Sequence, residues 1–322
     1  MSGNKKTRLV DKIVKNQWFF LLLVVVLLSI AAGLINYRFF GIRNILNILE
    51  QISVLGLVAA GATIVIISGN FDISVGSMIG LSAVIMAMLM IRGVNEVLAG
   101  CIGILVCILC SSINGFFTIV LGAPSFIISL ATLGVYHGVA LAITEGVIQT
   151  IYGQFETISN TKVFGFLPLM FVISVGGYLF IHVILKYTKI GRRVFAIGNN
   201  RRAAFLAGIN VKSNTLLFFG LNGFLVGVAA VVLLSRLGAA LPTTGAGLEL
   251  KAIGAVVIGG VPITGGMGNA VGTFLGVLLI GVISNMLNLS RVNPYFQEIA
   301  YGSLIILSVA VGSLRVGVMK RG

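Results

Sequence analysis

Apolar residues run along this chain in long blocks separated by short polar clusters, and the blocks have the length of a membrane crossing. A helix that rises about 1.5 Å per residue needs roughly 20 apolar residues to traverse a hydrocarbon layer about 30 Å thick. Ten blocks meet or approach that length: residues 18–37, 45–67, 73–91, 97–120, 125–144, 165–185, 215–235, 250–264, 267–289 and 296–314. Lipid offers no partners to backbone N–H and C=O groups, so the blocks are expected to be helices, giving an all-α polytopic membrane protein of about ten transmembrane helices. The eighth block is short and glycine-rich, and a broken or partly re-entrant element is expected there. The domain reading is a basic tail at 1–17, one transmembrane domain at 18–314 that includes a polar loop at 186–214, and a second tail at 315–322. The remaining connections are too short to hold a soluble domain.

Composition supports the same class, since 58% of the residues are apolar and only 9% are charged. An ordinary soluble enzyme carries nearer a quarter charged residues, so most of this surface must face lipid. A formal charge of +14 would fit a nucleic-acid binder, but the positions of the 22 basic residues exclude it. Five precede Trp18, seven lie from Lys186 to Lys212 and three follow Gly312. Clusters of that kind beside apolar runs mark cytoplasmic segments, which puts both termini and the 186–214 loop inside and agrees with an even number of spans. The first block lacks a small-residue cleavage site and reads as a retained span in a bacterial inner membrane. Cys101, Cys107 and Cys110 lie within one apolar run and read as packing residues.

Glycine is abundant, at 42 residues, and is interspersed with Ala, Ser and Thr inside the apolar blocks. The pairs Gly76/Gly80, Gly223/Gly227 and Gly272/Gly276 put small residues on one helix face, where close packing or sliding of helices becomes available. A faint echo links VIISGNFDISVGSM at 65–78 with VVIGGVPITGGMG at 256–268. Both would lie on the inner side, so a duplication would be parallel; shared composition accounts for the match equally well.

Few side chains offer chemistry. Asp72, one of two aspartates, stands with Ser74 and Gly76 between two apolar runs, where a carboxylate must be hydrated, paired or used to cap a helix. Capping or bonding to nearby amides is the structural reading, and gating is the functional one. The echo adds Gly259, Gly260, Gly265 and Gly266 to this gate or structural motif. Gln51, Asn114, Asn285, Asn288 and Gln297 lie in or beside apolar runs and are candidates for a polar translocation path suited to a neutral, hydroxyl-rich solute; helix-to-helix hydrogen bonding is the alternative for each. His137 and His182 fall in different runs. No nucleotide-binding loop, metal-ligand spacing or nucleophile motif is present, so no catalytic or metal residue is assigned. In the basic loop, residues 200–206 can form a short helix with Arg201 and Arg202 exposed beside Ala203, Ala204 and an aromatic, a surface for a soluble partner or for anionic lipid.

Four segments, SGNFDISVGSMIGLSA (68–83), GAPSFIISLATLGVYHGVALAITEG (122–146), TKIGRRVFAIGNNRRAAFLAGINV (188–211) and GAGLELKAIGAVVIGGVPITGGMGNAVGTFLGVLLIGVISNMLNL (245–289), resemble the membrane permease subunits of bacterial ATP-binding-cassette importers for ribose, allose, xylose and galactose-like monosaccharides. The resemblance implies a non-catalytic permease that works with a second permease copy or close paralogue, a cytoplasmic ATPase that binds the ATP and Mg, and an extracytoplasmic sugar-binding protein. It also implies that the 186–214 loop couples to the ATPase, with Gly191, Arg192, Gly198, Asn199, Arg201, Arg202, Ala203, Ala204 and Gly208 as its scaffold and contact residues. This chain departs from the family pattern at Asn70 and Phe71, where glycine and isoleucine are common, and at His137 and Gly138, where an arginine-glycine pair is common. An ion-coupled secondary transporter and a non-transporting membrane protein are the alternative readings of the residues.

Overall fold

The structure, a computed structural model, describes residues 17–151, 153–303 and 306. The chain begins with α1 (Gln17–Ile35) and a single 3-10 turn (Tyr37–Phe40), followed by α2 (Ile42–Ile67), α3 (Val75–Ile91), α4 (Glu96–Leu121) and α5 (Ser125–Thr144). A short α6 (Glu156–Asn160) precedes α7 (Leu169–Tyr187). The basic loop folds into α8 (Lys189–Asn199) and α9 (Arg201–Leu206), after which come α10 (Val211–Leu237), α11 (Leu248–Ile258), α12 (Ala270–Leu289) and helical residues 294–303. Two small two-stranded antiparallel sheets interrupt this all-helical plan: β1 (Gln149–Thr150) pairs with β4 (Ala239–Ala240), and β2 (Lys162–Val163) with β3 (Leu167–Pro168).

Burial separates the helices into layers. α2, α3 and α10 form the centre, with side chains such as Ile64, Met78, Met86, Phe218 and Val226 essentially inaccessible. α1 and α5 sit at the periphery and expose Leu27, Ile30, Ile127 and Leu130. Helices apolar on all sides are stable there because lipid, not water, meets the outward face.

Each of the ten apolar blocks contains helix, but they are unequal. Seven described helices have the length and hydropathy of a crossing: α1, α2, α4, α5, α7, α10 and α12. α3, at 17 residues, extends about 25 Å. The tenth block is helical at 296–303 and at 306 and otherwise lies outside the described residues, as do both tails apart from residue 17. α11 is the largest departure from the simple count, because its 11 residues extend only about 16 Å and cannot cross alone. Its helix stops at Gly259, before the expected boundary at 264, because the next residues carry the left-handed turn at Gly260 and proline at 262.

The crossing is nonetheless completed by irregular chain. β4 lies at one end of the bundle against the 145–164 loop, whereas Gly266 lies at the other, donating its N–H to the Ile67 carbonyl at 2.8 Å. Between them, residues 241–247 run beside α3, and α11 starts within the bundle. Gly76 and Gly80 make this contact: a Cβ at Gly76 would lie 2.7 Å from the Gly245 carbonyl, and one at Gly80 would overlap the Pro242 carbonyl. Non-helical backbone is tolerated at this depth because protein surrounds it. The other two glycine pairs serve similar seams. A Cβ at Gly223 or Gly227 would meet the α4 backbone at 2.5 and 2.7 Å, and Gly272 and Gly276 press on the α11 backbone.

The echoing segments fold alike. α2 ends with the Asn70 N–H bonded to the Val65 carbonyl and Gly69 in the left-handed region at φ 77°; α11 ends with the Val261 N–H bonded to the Val256 carbonyl and Gly260 at φ 93°. Each is a helix, a left-handed glycine closure, a break and a second helix. The breaks, 68–74 and 259–269, meet at the same end of the bundle, the arrangement of a parallel repeat.

Candidate functional site

The candidate site is a polar axis at the end where the breaks meet the basic loop. Within it, Asp72 is 5% exposed and is encircled by donors. Its Oδ1 accepts from the Ser74 N–H (3.2 Å), the Ser74 hydroxyl (2.7 Å) and Asn114 Nδ2 (3.0 Å). Its Oδ2 accepts from the Ser111 hydroxyl (2.9 Å) and Asn222 Nδ2 (3.1 Å). The Tyr136 hydroxyl sits 3.1 Å from Asn114 Oδ1 and orients that amide toward the carboxylate. Five donors from the break, α4 and α10 therefore take the place of water or a countercharge, which is the condition for keeping a carboxylate inside. Ser74, not Asp72, occupies the position before α3, and Asp72 bonds to its amide from two residues upstream.

Sequence reasoning found Asp72, Ser74 and Asn114 but put Asn114 on a path rather than in this shell. It missed Ser111, Tyr136 and Asn222. Ser111 carried a signal, because Ser111, Asn114 and Thr118 form a polar stripe at helical spacing on an otherwise apolar α4. Asn222 and Tyr136 are lone polar residues in separate helices and carried no spacing signal.

The basic loop is folded onto the breaks. α8 is amphipathic: Gly191, Val194 and Ile197 face inward, while Lys189, Arg192 and Arg193 are exposed. At its end, Gly198 packs directly on the Ile67 carbonyl and the Gly266 backbone. Asn199 Nδ2 donates to the Gly266 carbonyl at 3.0 Å, and Gly265 and Gly266 hold left-handed φ values of 76° and 79° to present that surface. Asn200 caps α9 by accepting from the Ala203 N–H, and Gly208 closes α9 at φ 80°.

One expectation for α9 changes, and another gains an inward partner. Ala204 is 4% exposed and faces the chain interior, because its position on the short helix points toward the rest of the loop. Arg201 was expected to be exposed, and the residue is exposed. Its stem is exposed, yet its guanidinium turns in and Nη2 donates to Asn70 Oδ1 at 2.8 Å, since the buried amide oxygen needs a donor. Burial lowers the Arg201 pKa from its ordinary value. The outward face is instead made by Arg202, Ala203, Phe205 and Leu206, with Phe205 68% and Leu206 77% exposed.

At the opposite end, α2, α10 and α12 enclose an open polar pocket of about 420 Å³ lined by Asn44, Asn47, Gln51, Arg236, Asn285 and Asn288. Asn44 and Asn285 exchange side-chain amide bonds at 2.8 Å in both directions. Glu50 pairs with Arg236 at 3.8 Å. Gln297 borders the pocket through a 3.0 Å bond to Asn288. The pocket therefore gathers Gln51, Asn285 and Asn288, while Asn114 belongs to the other end. Among the described residues, no group of three or more His, Cys, Asp or Glu converges to hold a metal ion.

This arrangement defines a multi-pass helical subunit in which polar chemistry links a surface loop to breaks inside the bundle. The family model for the branched-chain amino acid transport system / permease component matches residues 44–309. The ribose import permease protein RbsC of Bacillus subtilis (strain 168) is 37% identical over 287 residues, 88% of this chain and 88% of the relative. The D-allose transport system permease protein AlsC of Escherichia coli (strain K12) is 35% identical over 300 residues, 92% of this chain and 90% of the relative. The autoinducer 2 import system permease protein LsrC of Shigella flexneri is 33% identical over 303 residues, covering 91% and 86%. No solved structure matches the chain. The chain belongs to this family of permease components of bacterial ATP-binding-cassette importers, multi-pass proteins of the inner membrane. It is the non-catalytic component, and ATP with its Mg is bound and hydrolysed by a separate ATPase. Membership implies that ATPase and an extracytoplasmic substrate-binding protein as partners.

Proposed function

We propose that the chain carries a monosaccharide of the ribose or allose type across the inner membrane as one of two permease subunits, passing on substrate delivered by an extracytoplasmic sugar-binding protein. The likeness to ribose and allose permeases over nearly the full length carries this reading. A hydroxyl-rich solute exchanges water hydrogen bonds for protein ones, and the pocket of Gln51, Asn285 and Asn288 offers several amides beside a single cation, Arg236, that Glu50 pairs, which supports it as the outer part of the route. Gln297 belongs beside it, whereas Asn114 serves Asp72. Asp72, Ser74 and Gly76, with Gly259, Gly260, Gly265 and Gly266, form the gate framework at the inner end.

The ATPase docks on the outward face of the basic loop. Phe205 and Leu206 supply an apolar anchor, Ala203 allows close approach, and Arg192 and Arg202 supply a basic rim. Gly191, Gly198, Asn199, Ala204 and Gly208 hold that face in shape from beneath. Buried aromatic anchors usually dominate an interface while rim charges contribute little.

The test is uptake of labelled ribose and allose by proteoliposomes holding the permease, its ATPase and the binding protein, with autoinducer 2 as competitor. ATP-dependent accumulation of a monosaccharide is expected. Flux that persists without the ATPase and follows an ion gradient would overturn the reading. Phe205→Glu with Leu206→Glu should abolish ATPase co-purification from a monodisperse, membrane-inserted permease. Unchanged co-purification and unchanged substrate-stimulated hydrolysis would remove this face as the dock.

A further inference from the structure

The loop and the gate framework are joined by one bond between side chains that belongs to neither a helix cap nor a packing seam. Asn70 is 2% exposed in the break after α2. Its Nδ2 is engaged by Ser68, at 2.9 Å to Oγ and 3.4 Å to the carbonyl, and the Ser68 hydroxyl in turn donates to the Val65 carbonyl at 2.7 Å. Asn70 is thereby tied to the last turn of α2, leaving Oδ1 as the acceptor that meets Arg201 Nη2 at 2.8 Å. Two residues further along stands Asp72, fixed by α4 and α10.

We propose that Arg201 and Asn70 form a positioning latch, through which the loop that meets the ATPase sets the conformation of the 68–74 break and so the start of α3. α8 and α9 contact both breaks, through Asn199 at Gly266 and through Arg201 at Asn70. Displacement of the loop as a unit therefore pulls on both at once. The Asn199 contact ends on Gly266, whose backbone is held by close packing with Gly198 and by the Ile67 carbonyl, so a pull there moves little. The Arg201 contact ends on a side chain two residues from a carboxylate locked to two spanning helices, so the only slack is Phe71 and its flanking bonds. The Phe71 N–H is itself held by the Ser125 hydroxyl of α5 at 2.8 Å, which draws a further spanning helix into the same connection. Arg201 acts through Asn70 and need not touch the transported solute.

The inference rests on the ATP-driven reading above, and the experiment separates the two. The complete assembly of permease, ATPase and binding protein is reconstituted, and sugar accumulated is measured per ATP hydrolysed. Arg201→Met keeps the stem and removes the donors; Asn70→Ala removes the acceptor; Asn70→Asp keeps an acceptor for Arg201, gives up the Nδ2 donation to Ser68, whose hydroxyl can turn to donate to the carboxylate instead, and is the conservative control. Each of the first two should lower the ratio at least fivefold while the ATPase still co-purifies and hydrolyses ATP, the double variant should be no worse than either single one, and Asn70→Asp should keep most of the ratio. An unchanged ratio in either single variant, or effects that multiply in the double variant, would overturn the latch. Loss of ATPase co-purification on Arg201→Met would also overturn it and make Arg201 a docking residue. Absence of ATP-driven flux in the unaltered assembly would instead sink the functional reading on which it stands.

Discussion

The two breaks share a plan and are held in opposite ways. The first, at 68–74, is stitched by side chains: Asn70, Asp72 and Ser74 reach Arg201, Ser111, Asn114 and Asn222 on three other elements. The second, at 259–269, is stitched largely by backbone: Gly259 lies against the Gly272 backbone, Gly265 against the Ile67 carbonyl and Gly69, and the Gly266 backbone beneath Gly198. A side-chain stitch tolerates replacements that preserve its donors and acceptors. A backbone stitch tolerates no added volume but is indifferent to charge. Duplicated architecture thus yields one break that can be tuned electrostatically and another that works as a fixed fulcrum.

The sharpest way to break this comparison is to add volume where the loop meets the second break. Gly198→Val should prevent accumulation of folded permease, because its Cβ would overlap the Ile67 carbonyl and the Gly266 backbone, neither of which is a flexible chain end. Membrane-extracted yield on size exclusion measures it, and a monodisperse peak at the level of the unaltered protein would refute the fulcrum.

A smaller effect distinguishes the chemistry of the first break. Asp72→Ala leaves the hydroxyls and amides of Ser74, Ser111, Asn114 and Asn222 facing a void, at about 1–3 kcal/mol for each donor left unsatisfied. Asp72→Asn should be milder, because serine hydroxyls rotate and the buried Asn222 Oδ1, which has no partner among the described residues, can turn to accept. Thermal melting of the purified permease should rank the unaltered chain above Asn and Asn above Ala. Equal melting of the Asn and Ala variants would show that the donor shell does not govern stability at this position.

The smallest effect belongs to the opposite end. Asn285→Ala opens the reciprocal amide pair with Asn44, and hydrogen bonds between membrane helices are worth about 1 kcal/mol. Melting should barely move, while the concentration of sugar giving half-maximal uptake should rise several-fold if the pocket belongs to the route. An unchanged value would leave the pair as helix packing alone.

The helices were legible because a spanning segment must be apolar over its whole length, and that demand is written residue by residue. The glycine pairs were legible as small faces, though nothing local told that Gly76 and Gly80 would receive a chain of turns rather than a helix. Asp72 stood out because a carboxylate between apolar runs is conspicuous. Its partners did not, since Ser111 and Asn222 are ordinary residues in distant helices until the fold brings them to one carboxylate. The orientation of Arg201 was hidden for the same reason: a basic residue on a short helix reads as solvated unless a buried acceptor is known to lie beneath it.

The eleven residues of α11 bear on how the protein is made. A segment inserted by partitioning directly between water and lipid must bring its own crossing length, and this one does not. Neither α11 nor the chain of turns before it has a stable place in bare lipid, because the turns at 241–247 pair only part of their peptide groups and the rest would face hydrocarbon. Their seat is created by α3 on one side and α12 on the other, and α12 follows them in the sequence. Biosynthesis therefore cannot proceed strictly from the first span to the last: this stretch must wait, at the membrane surface or within the insertion machinery, until a later helix has arrived to receive it.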